Sequence, residues 1–138
     1  MLSIAAACSG KGKQDPQGAG SGGPVLAKKI VLSWGITQQA SAAELYLQLT
    51  DETGKQVSHP LGSYEGQCAA MTPAPEMKAV IGVACKNGAT GVELHAVARD
   101  AEVIVVKLRV DDGVTPDPMA REEVTRVATP LGAAIEGD

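Results

Sequence analysis

Polar and apolar residues alternate along two stretches near the start of the chain, residues 29–37 and 44–50. A period of two places every second side chain on the same face of an extended strand. The sequence therefore predicts two strands that each bury one face. The residues on these predicted buried faces are Ile30, Leu32, Trp34, Ile36, Leu45, Leu47 and Leu49.

Turn signals separate these strands from the next elements. Residues 51–54 (DETG) predict a tight turn, because the glycine accepts the positive φ that such turns need. Residues 55–61 predict a third strand, which Pro60 ends or confines to a sheet edge. The Pro-rich residues 71–76 predict an extended connection, and residues 77–85 predict a buried strand.

The second half of the chain contains the clearest hairpin, with arms at residues 92–99 and 102–110 and a turn at Arg99 and Asp100. His95 is out of phase with the apolar positions of its arm, so we expect it to face solvent. The second arm is apolar on both faces, with Ile104, Val106, Leu108 and Val110 on one and Val103 and Val105 on the other.

Two more elements are predicted towards the C-terminus. Asp117 and Pro118 are suited to cap a short helical turn that runs through Glu122, and residues 122–129 predict a last strand. Short strands spaced by turns at this density are typical of small β-sandwiches and barrels. We therefore predict an all-β fold, a small β-sandwich or barrel of about 7–8 mostly antiparallel strands, over residues 27–138.

Composition limits both the core and the function. The chain has 138 residues, 44% of them hydrophobic and 20% charged, which fits one ordered domain. It has no Phe, so Val, Ile, Leu and Ala must form the core. The net charge of −4 and the three aromatic residues speak against nucleic acid as a partner.

The first residues carry a motif of a different kind. An apolar run ends in Ala5, Ala6 and Ala7 directly before Cys8. This stretch resembles the lipobox of bacterial lipoproteins, which implies that Cys8 carries lipid and that the protein is exported to the cell envelope. Ser9 after the cysteine implies sorting to the outer membrane, facing the periplasm or the exterior. The run is short and no basic residue precedes it, so we expect a longer reading frame upstream.

This resemblance divides the chain into three parts. Residues 1–7 are predicted to be the remnant of a signal peptide, and residues 8–26 the lipidated cysteine with a flexible linker rich in Gly, Ser, Gln and Pro. If Cys8 carries lipid, Cys68 and Cys85 remain as a pair and are expected to form a disulfide in an oxidising compartment. A strand over residues 77–85 would place Cys85 at its far end, so residues 69–76 must run back along the strand for Cys68 to reach Cys85. We therefore expect residues 69–76 to be stretched along the domain rather than to form a tight hairpin.

Sites for catalysis or metal binding have little support in the sequence. A zinc set of His59, His95, Cys68 and Cys85 lacks close ligand spacing, and oxidised cysteines do not bind zinc. A hydrolase that uses His59 with Ser58 or Ser63 lacks the G-x-S-x-G motif. A calcium site at Asp111, Asp112 and Asp117 lacks the D-x-D-x-D-G spacing.

One stretch has the character of a binding loop, residues 61–68 (LGSYEGQC), with Ser63, Tyr64, Glu65 and Gln67 as candidate contact residues. We predict a non-catalytic envelope lipoprotein without a cofactor or bound metal, whose β domain binds a protein or another envelope component. The layout is similar to that of small periplasmic lipoprotein inhibitors of lysozymes or proteases. The alternative prediction is a small periplasmic hydrolase or zinc-binding protein that uses His59 and His95.

Overall fold

Two β-sheets pack face to face in the computed structural model of the protein, which describes residues 27–111, 114, 117 and 119–138. The first sheet (sheet 1) has the strand order β3-β2-β1-β9 and the second (sheet 2) the order β4-β5-β6-β7-β8. The strands are β1 Lys29–Gln38, β2 Ala42–Asp51, β3 Gln56–Glu65, β4 Gln67–Met71, β5 Ile81–Asn87, β6 Thr90–Arg99, β7 Glu102–Asp111, β8 Glu122–Ala128 and β9 Ala134–Gly137. The prediction of an all-β sandwich with one disulfide is confirmed.

The main core lies between the sheets and is aliphatic, as the composition requires. The predicted inner residues of β1 and β2 belong to it except Ile36, which is 36% exposed, and Leu32, Leu45 and Leu47 are completely buried. Sheet 2 contributes the alternate residues of β5, β6 and β7. The buried members of this core are Ile30, Leu32, Ala43, Leu45, Leu47, Leu49, Leu61, Ile81, Val83, Cys85, Leu94, Ala96, Val103, Val105 and Val127.

The described part of the chain contains nine strands rather than seven or eight. Two of them, β4 and β9, are not predicted from the sequence. β9, four residues long, pairs in parallel with the start of β1, Ile135 opposite Ile30. Its sequence, AIEG, offers one large apolar residue and no alternation, so periodicity does not reveal it. The other neighbouring strands pair antiparallel.

The strand predicted over residues 77–85 begins later, at Ile81. Pro75–Met77 form a 3-10 turn, and Lys78 has a left-handed backbone with φ of 53°, which prevents an extended strand from forming there. The expectation of a stretched connection rather than a tight hairpin is correct only in part, because the chain runs back extended alongside β5 at first and then folds into the 3-10 turn. Residues 67–71 form β4, which pairs antiparallel with β5, and residues 72–80 connect the two strands.

Residues 72–80, which we call the strap, cross the outer face of sheet 2. A second apolar cluster lies on this face: Met77 from the strap, Val97 from β6, and Ile104, Val106 and Leu108 from β7. The two apolar faces of β7 are therefore both buried. The expectation that His95 faces solvent is wrong, because it points to this covered face and has no exposed surface.

The prediction of a helical turn from Asp117 to Glu122 is also wrong. Asp117 closes a turn instead, in which its carboxylate accepts a hydrogen bond from the amide of Met119 and its carbonyl accepts one from Ala120. The chain is already extended at Glu122, where β8 begins. β3 lies at the edge of sheet 1, as Pro60 predicts, and continues past the proline to Glu65.

The disulfide joins Cys68 of β4 to Cys85 of β5, which face each other in the ladder with Cα atoms 4.0 Å apart. Cys85 is part of the main core, whereas Cys68 packs against it. The bridge closes a ring with a sequence separation of 17 residues. In the chain-entropy model a ring of this size stabilises the fold by about 3 kcal/mol.

Reduction of this disulfide is expected to lower the melting temperature by roughly 12–24 °C, the shift that about 3 kcal/mol produces in a domain of this size. Thermal unfolding of oxidised and reduced protein measures the difference. Cys68→Ala/Cys85→Ala should reproduce the reduced value. Labelling of both cysteines by an alkylating reagent in native, non-reduced protein would contradict the pairing.

Candidate functional site at the distal end of the sandwich

The four candidate contact residues lie where the chain crosses from one sheet to the other. Ser63, Tyr64 and Glu65 end β3, and Gln67 begins β4, so they belong to two strands rather than to a loop. The crossing occurs at Gly66. We call the end of the sandwich that contains Gly66 the distal end, and the end at which β1 begins the proximal end.

Gly66 allows the two sheets to come together at this point. Its φ is +93°, and a Cβ atom placed on it would lie 1.8 Å from the carbonyl oxygen of Lys86 in β5. No side chain fits at that distance, and L residues rarely adopt this backbone conformation. The amide of Gly66 donates to the carbonyl of Ser41 at 2.8 Å, which ties the crossing to the β1–β2 turn.

The side chain of Gln38, the last residue of β1, holds the same crossing from the other side. Its Nε2 donates to the carbonyls of Gln39, Ala42 and Gly66 at 2.8–3.1 Å. Its Oε1 accepts a hydrogen bond of 3.0 Å from the amide of Cys68. One amide side chain thus connects β1, the β1–β2 turn, the crossing and β4.

The candidate residues differ in what they present to solvent. Ser63, Glu65 and Gln67 are exposed, whereas Tyr64 is half-buried against the main core. The Tyr64 hydroxyl donates to the carbonyl of Leu61 at 2.8 Å. Burial raises the pKa of Tyr64, against the opposing effect of the Lys107 ammonium group. Tyr64 therefore packs and stays protonated, and the three exposed residues present their polar groups to solvent.

A cleft of about 440 Å³ adjoins these residues, between the end of β3 and sheet 2. We call it the distal cleft. Glu65 lines one wall and accepts a hydrogen bond of 3.2 Å from Asn87. Lys107 and Arg109 line the other wall, in ion pairs with Glu122 at 3.3 Å and Asp111 at 3.6 Å. Such solvent-exposed pairs are weak, so a partner's polar groups can compete for these charges.

A second cleft, of about 420 Å³, lies at the proximal end between the edge strands β3 and β8. We call it the proximal cleft, and its walls are mainly apolar. Val57 and His59 of β3 face it, and burial lowers the pKa of His59. No local sequence pattern predicts this cleft, because its walls come from separated segments of the chain. Its lining residues are Ala27, Ile30, Leu49, Asp51, Lys55, Val57, His59, Arg126, Val127 and Ala128.

Two charged groups of the proximal cleft, Asp51 and Arg126, are engaged in local contacts. The Asp51 carboxylate accepts hydrogen bonds from the amides of Thr53 and Lys55 and from the Thr53 hydroxyl. Burial pushes the pKa of Asp51 up, but these hydrogen bonds outweigh it and the pKa is lowered. Arg126 donates to Glu102 and Glu123 at 3.0 and 2.8 Å. These groups stabilise the turn and the strand edge.

The two histidines do not come together. His59 lies in sheet 1 and faces the interior opposite Leu47, whereas His95 lies on the outer face of sheet 2. Sheet 2 therefore separates the rings, and the disulfide occupies both thiols of the proposed zinc set. Within the part of the chain that the structure describes, no three His, Cys, Asp or Glu side chains are grouped closely enough to hold a metal ion.

Cys8 and residues 1–26 lie outside the described residues, so the predicted lipidation and linker stay predictions. Across the described ranges, no helix is long and apolar enough to cross a membrane. Comparisons with protein-family models, curated proteins and solved structures find no match to this chain.

Gly66→Ala is expected to destabilise the domain far more than Gly54→Ala. Both residues have positive φ, +93° and +88°, but a Cβ at Gly54 meets nothing within 4 Å. The left-handed backbone alone costs an alanine about 1–2 kcal/mol. The clash with the backbone of Lys86 should add at least ~2 kcal/mol for Gly66→Ala, of the order that overpacking costs. Urea unfolding of the two variants measures the difference, and equal losses would show that the crossing is not tightly packed.

Proposed function

We propose that this protein is an envelope lipoprotein whose β domain binds a protein or another envelope component through its distal end, without catalysis. The observation that carries the proposal is the position of the candidate residues relative to the start of the domain. Ser63, Glu65 and Gln67 are exposed at the distal end, and the chain enters the fold at Lys29 at the proximal end.

The separation follows from the length of β1. The strand runs from Lys29 to Gln38, and the Gln38 side chain bonds to Gly66 and Cys68 beside the candidate residues. Nine steps of about 3.3 Å make this distance about 30 Å. A lipid on Cys8 would hold the proximal end near the membrane, and the candidate surface would then face away from it. This is the orientation that a tethered binding domain needs.

The distal surface is also held rigidly. The disulfide fixes β4 to β5, the Gln38 side chain bonds across the crossing, and the Glu65 carboxylate is held by Asn87. A surface fixed before the partner arrives loses less conformational entropy on binding. Rigid presentation favours recognition of a partner of defined shape, such as a folded protein.

The distribution of chemical groups supports binding rather than catalysis. Ser63 is exposed at the distal end, whereas His59 lies at the proximal cleft and His95 is buried on the far side of sheet 2. A hydrolytic serine needs a general base within hydrogen-bond reach. Neither histidine can serve Ser63, and this weighs against the alternative of a hydrolase or zinc protein that uses both histidines.

Cys8→Ser is expected to release the protein from the membrane fraction, because this change removes the atom that would carry lipid. The β domain, which includes the disulfide between Cys68 and Cys85, should keep its melting temperature. Fractionation of cells that express each form, followed by thermal unfolding of the released protein, measures both effects. Membrane retention equal to that of the wild type would remove the lipoprotein part of the proposal.

The binding surface is tested by charge-matched variants at the two ends. Gln67→Arg adds a charge and bulk at the distal end, and Leu131→Arg does so at an 86% exposed position near the proximal end. Cross-linking of the intact protein in envelope preparations should yield a discrete adduct. Gln67→Arg should reduce that adduct at least tenfold and Leu131→Arg should leave it unchanged. Loss in both variants, or in neither, would contradict a distal binding surface.

A further inference from the structure

The proximal cleft is an apolar cavity that reaches the main core. Its floor includes Ile30, Leu49 and Val127, all members of that core. Val57 lies opposite Leu49 in the ladder of sheet 1, and its apolar side chain is 45% exposed. β3 and β8 are edge strands, and each is hydrogen-bonded only to its neighbour within its own sheet. The gap between these two edges therefore stays open at the cleft.

The size and lining of the cleft suit a small apolar ligand. Its volume of about 420 Å³ lies at the lower end of the range that ligand pockets occupy. Such pockets are lined mainly by apolar side chains, with a few polar groups that orient the ligand. The described lining residues include no Tyr or Trp, so the walls are aliphatic and offer no ring for stacking. A flexible hydrocarbon chain fits these walls better than a planar ring system.

Two of the four polar side chains in the lining are already bound within the protein. The Asp51 carboxylate accepts three hydrogen bonds from the β2–β3 turn, and these donors offset part of its negative charge. Arg126 donates to two carboxylates at the edge of sheet 2. A ligand would have to break these contacts to engage either group.

The other two polar side chains, Lys55 and His59, are available to a ligand. The Lys55 ammonium group forms no ion pair among the described residues and acts on Asp51 only through space. A lysine can lay its hydrocarbon stem along an apolar wall while its charge stays at the rim. The His59 ring forms no hydrogen bond to a described residue, and because burial lowers its pKa, it is neutral and can donate one N–H. The cleft thus offers one cation and one hydrogen-bond donor beside an aliphatic surface.

We propose that the proximal cleft binds a single-chain fatty acid, with its hydrocarbon chain against the aliphatic walls and its carboxylate at Lys55 and His59. The available charge in the lining is positive and therefore selects an anionic head group. The small volume favours one acyl chain over the two of a membrane lipid. This site does not depend on the proposed function, because it lies at the opposite end of the sandwich from the candidate contact residues.

Titration with decanoate tests the proposal on the full chain carrying Cys8→Ser, a form that holds no lipid at this position. The methyl NMR signals of Leu49 and Val57 should shift and saturate. Octanoate should bind about tenfold more weakly, since its chain buries fewer methylene groups. The absence of a saturable shift would overturn the proposal. Equal shifts at the exposed Leu131 and Met119 would also overturn it, because they would indicate detergent-like adsorption.

Variants at adjacent positions of β3 locate the site. Val57→Asp places a negative charge on the wall of the cleft and should weaken decanoate binding at least tenfold. Ser58→Asp adds the same charge on the outer face of sheet 1, opposite Gln48, and should change the affinity by less than about twofold. Both positions are exposed, so thermal unfolding should confirm that both variants fold. Equal losses of affinity in the two variants would overturn the assignment to the cleft.

The head group and the other possible occupants are tested separately. Lys55→Met keeps an unbranched side chain but removes the charge, so it should weaken decanoate binding about threefold and leave the binding of decanol unchanged. An equal effect on both ligands would overturn the role of the carboxylate, and this variant decides the question if Val57→Asp fails to fold. Cleft signals that respond to phosphatidylglycerol vesicles but not to decanoate would assign the cleft to a membrane lipid. Signals that change on dilution of the ligand-free protein would assign it to a second copy of the chain, and either result would overturn the proposal.

Discussion

The close approach of the two sheets at Gly66 is the constraint on which both the fold and the candidate site depend. β3 and β4 belong to different sheets, yet one residue separates them. The backbone of Gly66 must therefore lie against that of Lys86, closer than any side chain permits. This contact places Cys68 opposite Cys85 and brings Gln38 within reach of both sheets. The same contacts that close the sandwich hold the distal surface in place.

The features that the sequence predicts correctly are those set by the local pattern of apolar residues or by the number of cysteines. Alternation in β1 and β2 identifies the inner faces, because one side of sheet 1 meets the core and the other meets water. The odd number of cysteines points to the bridge between Cys68 and Cys85. The candidate residues at 63–67 are also brought together, since they are neighbours along the chain.

The features that escape prediction depend on long-range packing. His95 was expected to face solvent, because alternation assumes that only one face of a strand is covered. The signal against this was present in β7, whose apolar run from Val103 to Val106 leaves no polar face. A strand apolar on both faces requires cover on both, and here the strap covers the outer one. Which segment covers a sheet is decided by the tertiary fold and is not visible in local periodicity.

The two clefts differ in whether their polar groups are available to a binding partner. The proximal cleft is the more apolar, and two of its charged groups are committed: Asp51 closes a turn, and Arg126 binds two carboxylates at the edge of sheet 2. Its walls come from separated segments, so no local pattern predicts it. The distal surface instead presents the exposed groups of Glu65 and Gln67 on a crosslinked frame. Specific recognition needs polar groups that are both fixed and available, and this requirement favours the distal end.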